Sequence, residues 1–154
     1  MCIQRLQALL DAHDVPYETM THEPCYTSYQ LAHRTKVPPR DVAKTVIVAV
    51  DGRLAMVVLP GCEWLDLDQL KAASGAREVC ITSEDDYKIA FPDCEVGAMP
   101  PFGNLYDMPV FVSESLRGDE QIVFNAGTHT QMMRIAYDDF ERVVDPVVAP
   151  LSAA

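Results

Sequence analysis

The sequence predicts an α+β domain built around a mixed β-sheet, because strand-like segments and short helical segments are interspersed along the chain. The strongest strand signal is Val42 to Val50, which is rich in β-branched residues and stops at Asp51-Gly52, a typical hairpin turn. Apolar residues at helical spacing occur in short stretches, of which Ile3 to Leu10 is the first. At 154 residues, the chain is most simply one domain.

Local signals define the N-terminal elements. The first helix ends at His13-Asp14-Val15-Pro16, because the residue before a proline disfavours helix. The segment Tyr17 to His22 is predicted to be a short strand, which Glu23-Pro24 breaks. Ser28 is placed to cap a second helix, Tyr29 to Thr35.

The elements after the hairpin turn are strands with interspersed short helices. Arg53 to Leu59 is the returning strand, and a helix begins at Asp66 and ends at Gly75. We expect a single domain over residues 1–146 and a loose tail over 147–154, since the residues from Pro146 on have little to pack against. The other predicted elements are, in order, a strand at Glu78 to Ile81, a helix capped by Ser83 with Asp86, strands at Val110 to Val112, Glu120 to Phe124 and Met132 to Ala136, and a helix at Asp138 to Val143.

Composition limits the classes of function. A net charge of −11 argues against non-specific binding to a nucleic-acid backbone, although Arg34, Lys36, Arg40 and Lys44 form a local basic segment. The five cysteines are odd in number and none forms a CxxC pair, so neither a disulfide framework nor a metal site is predicted. No apolar run is long enough to cross a membrane, and reduced thiols are typical of the cytoplasm. No cofactor is predicted.

The segment Cys94 to Asn104 is the one around which the chain is organised. It holds two glycines and a Pro-Pro pair, which together specify a rigid, shaped loop. Such a loop would leave free backbone donors at Gly97, Ala98 and Met99, suited to holding a carbonyl group or an oxyanion. The alternative is a purely structural turn.

Lys44 is the most informative side chain. In a regular strand it shares a face with Val42, Val46, Val48 and Val50, and an ammonium group among valines is costly to bury without a partner. It either reaches solvent at the entrance of the strand or faces a pocket for an anionic or carbonyl ligand. The sequence leaves both possibilities open.

The polar turn Asn125-Ala126-Gly127-Thr128-His129 supplies further candidates. His129 could shuttle a proton or bind a ligand, and Asn125 could present its amide inward, but both could equally satisfy the local backbone. Thr27 and Ser28 could contact a ligand, although a helix cap is the more ordinary role for one of them. No GxSxG, GxxxxGK[ST] or GxGxxG motif is present, and Cys25 near His22 lacks a third orienting group.

Three motifs in this order carry a resemblance: Ala43-Lys44-Thr45-Val46, the loop Gly97 to Gly103, and the turn Asn125 to His129. Over roughly Ile3 to Pro146, the chain resembles the YbaK/ProX family, the prolyl-tRNA-synthetase-associated editing domains. The resemblance implies a mixed, partly barrel-like β-sheet surrounded by helices. It also implies hydrolysis, in trans, of the ester that joins a wrong amino acid to the 3′ end of a tRNA.

The resemblance also implies roles for particular residues. Lys44 would contact the terminal adenosine and the aminoacyl group, and the backbone of Gly97 to Pro101 would position the ester carbonyl. The residues placed in catalysis are Lys44, Gly97, Ala98 and Met99. Those placed in substrate binding are Thr45, Pro100, Pro101, Phe102, Asn125, Ala126, Gly127 and His129.

The amino acid removed stays open, because Met20, Met132 and Thr45 stand where branches of the family have other residues. The expected partners are the acceptor end of a mischarged tRNA and, as a further candidate, an aminoacyl-tRNA synthetase, with the chain a monomer or weak homodimer and no membrane involved. Two other functions remain alternatives. One is a non-catalytic module that binds an aminoacyl-tRNA or a nucleotide, and the other is a small-molecule ester hydrolase with a cysteine nucleophile.

Overall fold

The structure, a computed structural model, describes residues 2–24, 27, 30, 33 and 36–153. Within these residues, four complete α-helices and ten strands confirm the α+β prediction. The predicted Ser28 cap and the helix Tyr29 to Thr35, apart from Gln30 and His33, lie outside the described residues, as does Cys25. The helices are α1 (Cys2–Ala12), α2 (Leu67–Ser74), α3 (Glu84–Tyr87) and α4 (Tyr137–Val144). The strands are β1 (Glu18–Thr21), β2 (Ala43–Val50), β3 (Arg53–Pro60), β4 (Trp64–Leu65), β5 (Val79–Ile81), β6 (Val110–Ser113), β7 (Gln121–Asn125), β8 (Gln131–Ala136), β9 (Val147–Ala149) and β10 (Ser152–Ala153).

The main sheet is mixed, as predicted. Its order is β5-β2-β3-β6-β9, with β2 antiparallel to both β3 and β5, and β6 parallel to both β3 and β9. The hairpin between β2 and β3 turns at Asp51 (φ 49°) and Gly52 (φ 82°), the two positive φ angles that such a turn requires. A second sheet, β1-β8-β7, is antiparallel, and β4 and β10 form a two-stranded ribbon.

The two larger sheets meet at the beginning of β2, a place called the corner below. One edge of β2 pairs with β3 along its whole length, and on the other edge β5 covers only Val48 to Val50. The uncovered beginning of that edge reaches β7, because Val42 forms a parallel bridge to Val123. The described strands therefore join at this bridge and do not close into a barrel.

Burial on both faces of β2 explains its β-branched composition. Ala43 and Ile47 lie in the main core, which also holds the fully buried Phe102, and Phe124 and Phe140. Val48 on the opposite face packs into a second core with α2 and the C-terminal segment. A strand buried on both sides reads as a continuous apolar run rather than an alternating one.

Helix termini match the signals in the sequence. Oδ1 of Asp66 accepts hydrogen bonds from the backbone N–H groups of Asp68 (3.0 Å) and Gln69 (3.2 Å), which caps α2. Gly75 ends this helix with φ 69°. Every helix in the described part of the chain is too short or too polar to span a lipid bilayer.

The predicted loose tail after Pro146 is wrong. Strand β9 extends the main sheet beside β6, β10 pairs with β4, and Leu151 between them is fully buried. The free edge of β6 offers hydrogen bonds that three tail residues can take up, and the sequence of so short a strand carries no periodic signal. The ribbon β4–β10 went unpredicted for the same reason.

Replacing Leu151 with alanine is therefore expected to lower the free energy of unfolding by about 2–4 kcal/mol, the usual loss for a buried leucine. Val147, which is 47% exposed on the same segment, provides the matched control, and Val147→Ala should cost under about 1 kcal/mol. Urea denaturation measures both values. Equal, small losses in the two variants would mean that the tail does not pack as described.

Candidate active site

The loop Cys94 to Asn104, called the Gly97 loop below, and the polar turn Asn125 to His129 form one hydrogen-bonded unit. The backbone N–H of Glu95 donates to the carbonyl of Gly127 (2.8 Å), and the N–H of Gly127 donates to the carbonyl of Ala98 (2.9 Å). His129, only 7% exposed, donates from Nε2 to the carbonyl of Val96 (2.8 Å). Two segments some thirty residues apart are thus held together mainly by main-chain bonds.

Two of the three expected backbone donors in the loop are available. The N–H of Ala98 is used, because it donates to the carbonyl of Glu95 (3.0 Å), so the prediction of a free donor there is wrong. In the part of the chain that the structure describes, the N–H groups of Gly97 and Met99 have no acceptor. Gly97 has φ 84°, and a Cβ there would lie 3.5 Å from Cε1 of His129, so the histidine ring packs beside the loop backbone.

Lys44 stands half-buried near the beginning of β2, opposite Leu59 of β3. Its Nζ atom lies 4.5 Å from the centroid of the Trp64 ring, a cation–π contact. Loss of solvent around the ammonium group lowers the pKa of Lys44, while Cys62 and Glu63 act in the opposite direction. Among the described residues, Lys44 forms no ion pair, so its charge is available to a ligand.

Strand register relates Lys44 to Asn125, the first residue of the polar turn. The parallel bridge joins Val42 to Val123. Two residues further along the two strands lie Lys44 and Asn125, respectively. Side chains two apart in a strand share a face, so the side chain of Lys44 lies on the face of Val42 and that of Asn125 on the face of Val123. Asn125 is the first residue of the turn that binds the Gly97 loop.

Two polar atoms at this corner lack partners. Within the described residues, Oδ1 of Asn125 and Nε2 of His22 are buried without a hydrogen bond. Asn125 lies directly across from Met132, which in turn pairs with Met20, and His22 follows two residues after Met20 on the same face. A buried polar atom without a partner is costly, so these two mark a place where a ligand or water belongs.

A family model for the aminoacyl-tRNA editing domain matches residues 22–143, a range that contains Lys44, the Gly97 loop and the turn at His129. The chain belongs to this family. The resemblance to the YbaK/ProX editing domains is thereby confirmed. No curated protein sequence matches this editing domain at a significant level.

Solved structures share the fold of this editing domain at low sequence identity. A hypothetical protein superposes with a TM-score of 0.88 at 19% identity, covering 97% of this chain and 99% of that protein. A candidate trans-editing enzyme for prolyl tRNA synthetase gives 0.84 at 16% identity, with 99% and 98% covered. A candidate signal transduction protein from Marinobacter aquaeolei gives 0.76 at 14% identity, covering 100% of this chain and 31% of the longer one.

Some predicted ligand contacts point elsewhere in the editing domain. Thr45 leaves β2 on the face opposite Lys44, the side on which Ala43 and Ile47 enter the main core. Phe102 and Ala126 are fully buried, so their side chains belong to the core rather than to a ligand surface. Phe102 in particular packs 5.4 Å from Phe124 between ring centroids. Pro100 and Pro101 are also buried and shape the loop behind the candidate donors.

Sequence reasoning missed two features of the site. It did not place His22 among the site residues, although the alternation from Met20 in β1 to His22 just after the strand was a usable signal. It predicted no metal-ligating cluster, yet the ligand atoms of Cys2, Asp93 and Cys94 lie within 4.8 Å of one another. Cys2 and Cys94 are 92 positions apart in the sequence, a separation that matches no spacing motif.

Proposed function

We propose that this editing domain acts in trans as an aminoacyl-tRNA deacylase, hydrolysing the ester between a small amino acid and the 3′ end of a wrongly charged tRNA. The observation that supports the proposal is the bridge between Val42 and Val123, from which Lys44 and Asn125 follow on one face, together with the main-chain bonds that join the turn of Asn125 to the Gly97 loop. An unpaired ammonium group, an unpartnered amide oxygen and two backbone donors without acceptors among the described residues are the groups that an aminoacyl ester would need.

The loop would stabilise the transition state. Attack of water on the ester carbonyl places negative charge on its oxygen, and the N–H groups of Gly97 and Met99 would donate to that oxygen. One donor of this kind is typically worth about 10²–10³ in rate. Lys44 would add its positive charge or hold the terminal nucleotide. A vicinal hydroxyl of the substrate ribose would activate the water, which accounts for a site without a serine or cysteine triad.

Asn125 and the methionine pair would select the amino acid. The free Oδ1 of Asn125 can accept a hydrogen bond from the α-ammonium group of the substrate. Met20 and the fully buried Met132 pair across the adjoining strands and occupy space beside that oxygen. Two unbranched side chains there would narrow an aminoacyl pocket and so favour small amino acids, since one methylene group changes discrimination by about 1–3 kcal/mol.

Binding of tRNA would use the basic segment near β2. Lys36 and Arg40 are exposed, and Lys44 is at the corner itself. With a net charge of −11, the remainder of the chain repels a phosphate backbone, so binding by this segment alone would be weak and sensitive to salt. A cytoplasmic aminoacyl-tRNA synthetase that holds the tRNA would supply the missing affinity.

Deacylation of a panel of tRNAs charged with alanine, serine, cysteine or threonine tests the proposal. We expect one of these small amino acids to be released well above the spontaneous rate. Trp64 is the single tryptophan of the chain and lies beside Lys44, so its fluorescence reports binding independently of turnover.

The panel also separates the two alternatives. A fluorescence change with no release of any of the four amino acids would contradict the proposal and favour a non-catalytic binding module. Release that thiol alkylation abolishes would instead favour a hydrolase with a cysteine nucleophile. The matched variant Lys71→Ala, which removes one exposed positive charge on α2, should leave every rate unchanged.

A further inference from the structure

Two cysteines meet behind the Gly97 loop. Cys2 at the beginning of α1 is 2% exposed, and its Sγ atom lies 2.7 Å from Sγ of Cys94, the residue that begins the loop. Both are free thiols, and Cys94 donates its hydrogen to Cys2. A disulfide bond is about 2.05 Å long, so joining the two sulfur atoms needs only a small displacement.

The surroundings of the pair are polar and connected. The hydroxyl oxygen of Tyr106 lies 3.2 Å from Sγ of Cys2 and 2.9 Å from Sγ of Cys94, and this hydroxyl donates to Oδ1 of Asp93 (3.1 Å). Arg5 pairs with the same carboxylate at 2.9 Å. The hydrogen bond from Cys94 lowers the pKa of Cys2 and raises the pKa of Cys94, so thiolate character belongs mainly to Cys2.

This geometry fits a covalent bond better than a metal ion. Asp93 could serve as a third ligand beside the two cysteines, but Arg5 already neutralises its carboxylate. Two thiolates that each bind zinc at about 2.3 Å in a tetrahedral site stand about 3.8 Å apart. The observed 2.7 Å is much shorter than that separation.

We propose that Cys2 and Cys94 form an oxidation site that reacts with a hydroperoxide and becomes a disulfide. The thiolate of Cys2 attacks the peroxide, an S–O bond forms as the O–O bond breaks, and the leaving oxygen takes a proton to depart as water or an alcohol. Cys94 then attacks the sulfenic sulfur, the S–O bond breaks, and hydroxide takes the Cys94 proton and leaves as water. Two thiols are oxidised and one peroxide is reduced.

The disulfide bond would connect α1 to the Gly97 loop, beside the polar turn. Cys94 begins the loop, and Cys2 packs against Gly127 in the turn, where a Cβ would lie 2.7 Å from both Cβ and Sγ of Cys2. Oxidation would therefore fix α1 to the base of the loop at the point where the turn rests on the same cysteine. The reaction needs no tRNA, so its outcome is independent of the proposed deacylase activity.

Peptide mapping of the full chain tests the proposal. The reduced protein is treated with one equivalent of hydrogen peroxide, blocked with N-ethylmaleimide and digested without reductant. We expect a linked pair of peptides that contain Cys2 and Cys94, with the mass of the two peptides less two hydrogens, and its loss on treatment with dithiothreitol. Exposed Cys80 is the internal control and should remain alkylated at its original extent.

Two variants make the result specific. Cys80→Ser should leave the Cys2–Cys94 link unchanged, whereas Cys94→Ser should abolish it and leave a sulfenic acid at Cys2 that dimedone traps. The proposal is overturned if both cysteines remain alkylatable under conditions that oxidise Cys80, or if either is linked to Cys25 or Cys62 instead. Protection of the pair from alkylation by added zinc alone would likewise overturn it in favour of a metal site. Peptide mapping of the protein without substitutions tests the proposal even if a variant does not fold.

Discussion

Replacing Lys44 with methionine is expected to lower kcat/KM for deacylation by at least about 100-fold, the scale of losing one charged group that stabilises a transition state. Methionine keeps an unbranched side chain of similar length and removes only the charge. The fold should be retained, because Lys44 is half-buried without an ion pair among the described residues and its contact with Trp64 is worth about 0.5–2 kcal/mol. Deacylation kinetics and circular dichroism measure the two effects.

The pH dependence gives a second readout of the same residue. The ammonium form of Lys44 exists below its pKa, and burial lowers that pKa from the usual value for lysine. If the charge is required, activity should fall with rising pH before an ordinary lysine would titrate. Lys71→Ala should retain both the rate and the pH profile. A Lys44→Met rate within a factor of about three of the unchanged protein would contradict an essential charge.

Local chemistry explains which parts of the fold could be predicted. The hairpin at Asp51-Gly52 and the caps at Asp66 and Gly75 depend on residues that are neighbours in sequence, and each was predicted within one or two positions. The ribbon between Trp64–Leu65 and Ser152–Ala153 depends on residues far apart. A two-residue strand has no periodicity, so only the folded chain reveals it.

The candidate site likewise has features that depend on neighbouring residues, which could be predicted, and features that depend on distant residues, which could not. The loop and turn could be recognised from glycine, proline and asparagine, whose backbone preferences are local. Which side chains face the site depends on register, and the bridge between Val42 and Val123 sets that register from outside either motif. Thr45 shows the consequence, since it is adjacent to Lys44 in sequence but leaves the opposite face of β2. The donors of Gly97 and Ala98 also differ only because one finds an acceptor in Glu95.

Replacing Gly127 with alanine is expected to lower the free energy of unfolding by about 2–5 kcal/mol, from two separate causes. Gly127 has φ 101°, which costs a residue with a side chain about 1–2 kcal/mol. An added Cβ would also lie 2.7 Å from the Cβ and Sγ atoms of Cys2, and overpacking of this kind costs about 1–3 kcal/mol. Urea denaturation of the reduced protein measures the total.

Two matched variants separate these causes. Gly52 has φ 82°, and a Cβ added there would meet nothing within 4 Å, so Gly52→Ala measures the backbone cost alone. In a Cys2→Gly background the steric cost disappears, and Gly127→Ala should then cost no more than Gly52→Ala. Coupling of at least about 1 kcal/mol between positions 2 and 127 would place α1 directly against the turn. Additive losses would instead mean that Cys2 does not touch Gly127, and the described link between the helix and the candidate site would fail with it.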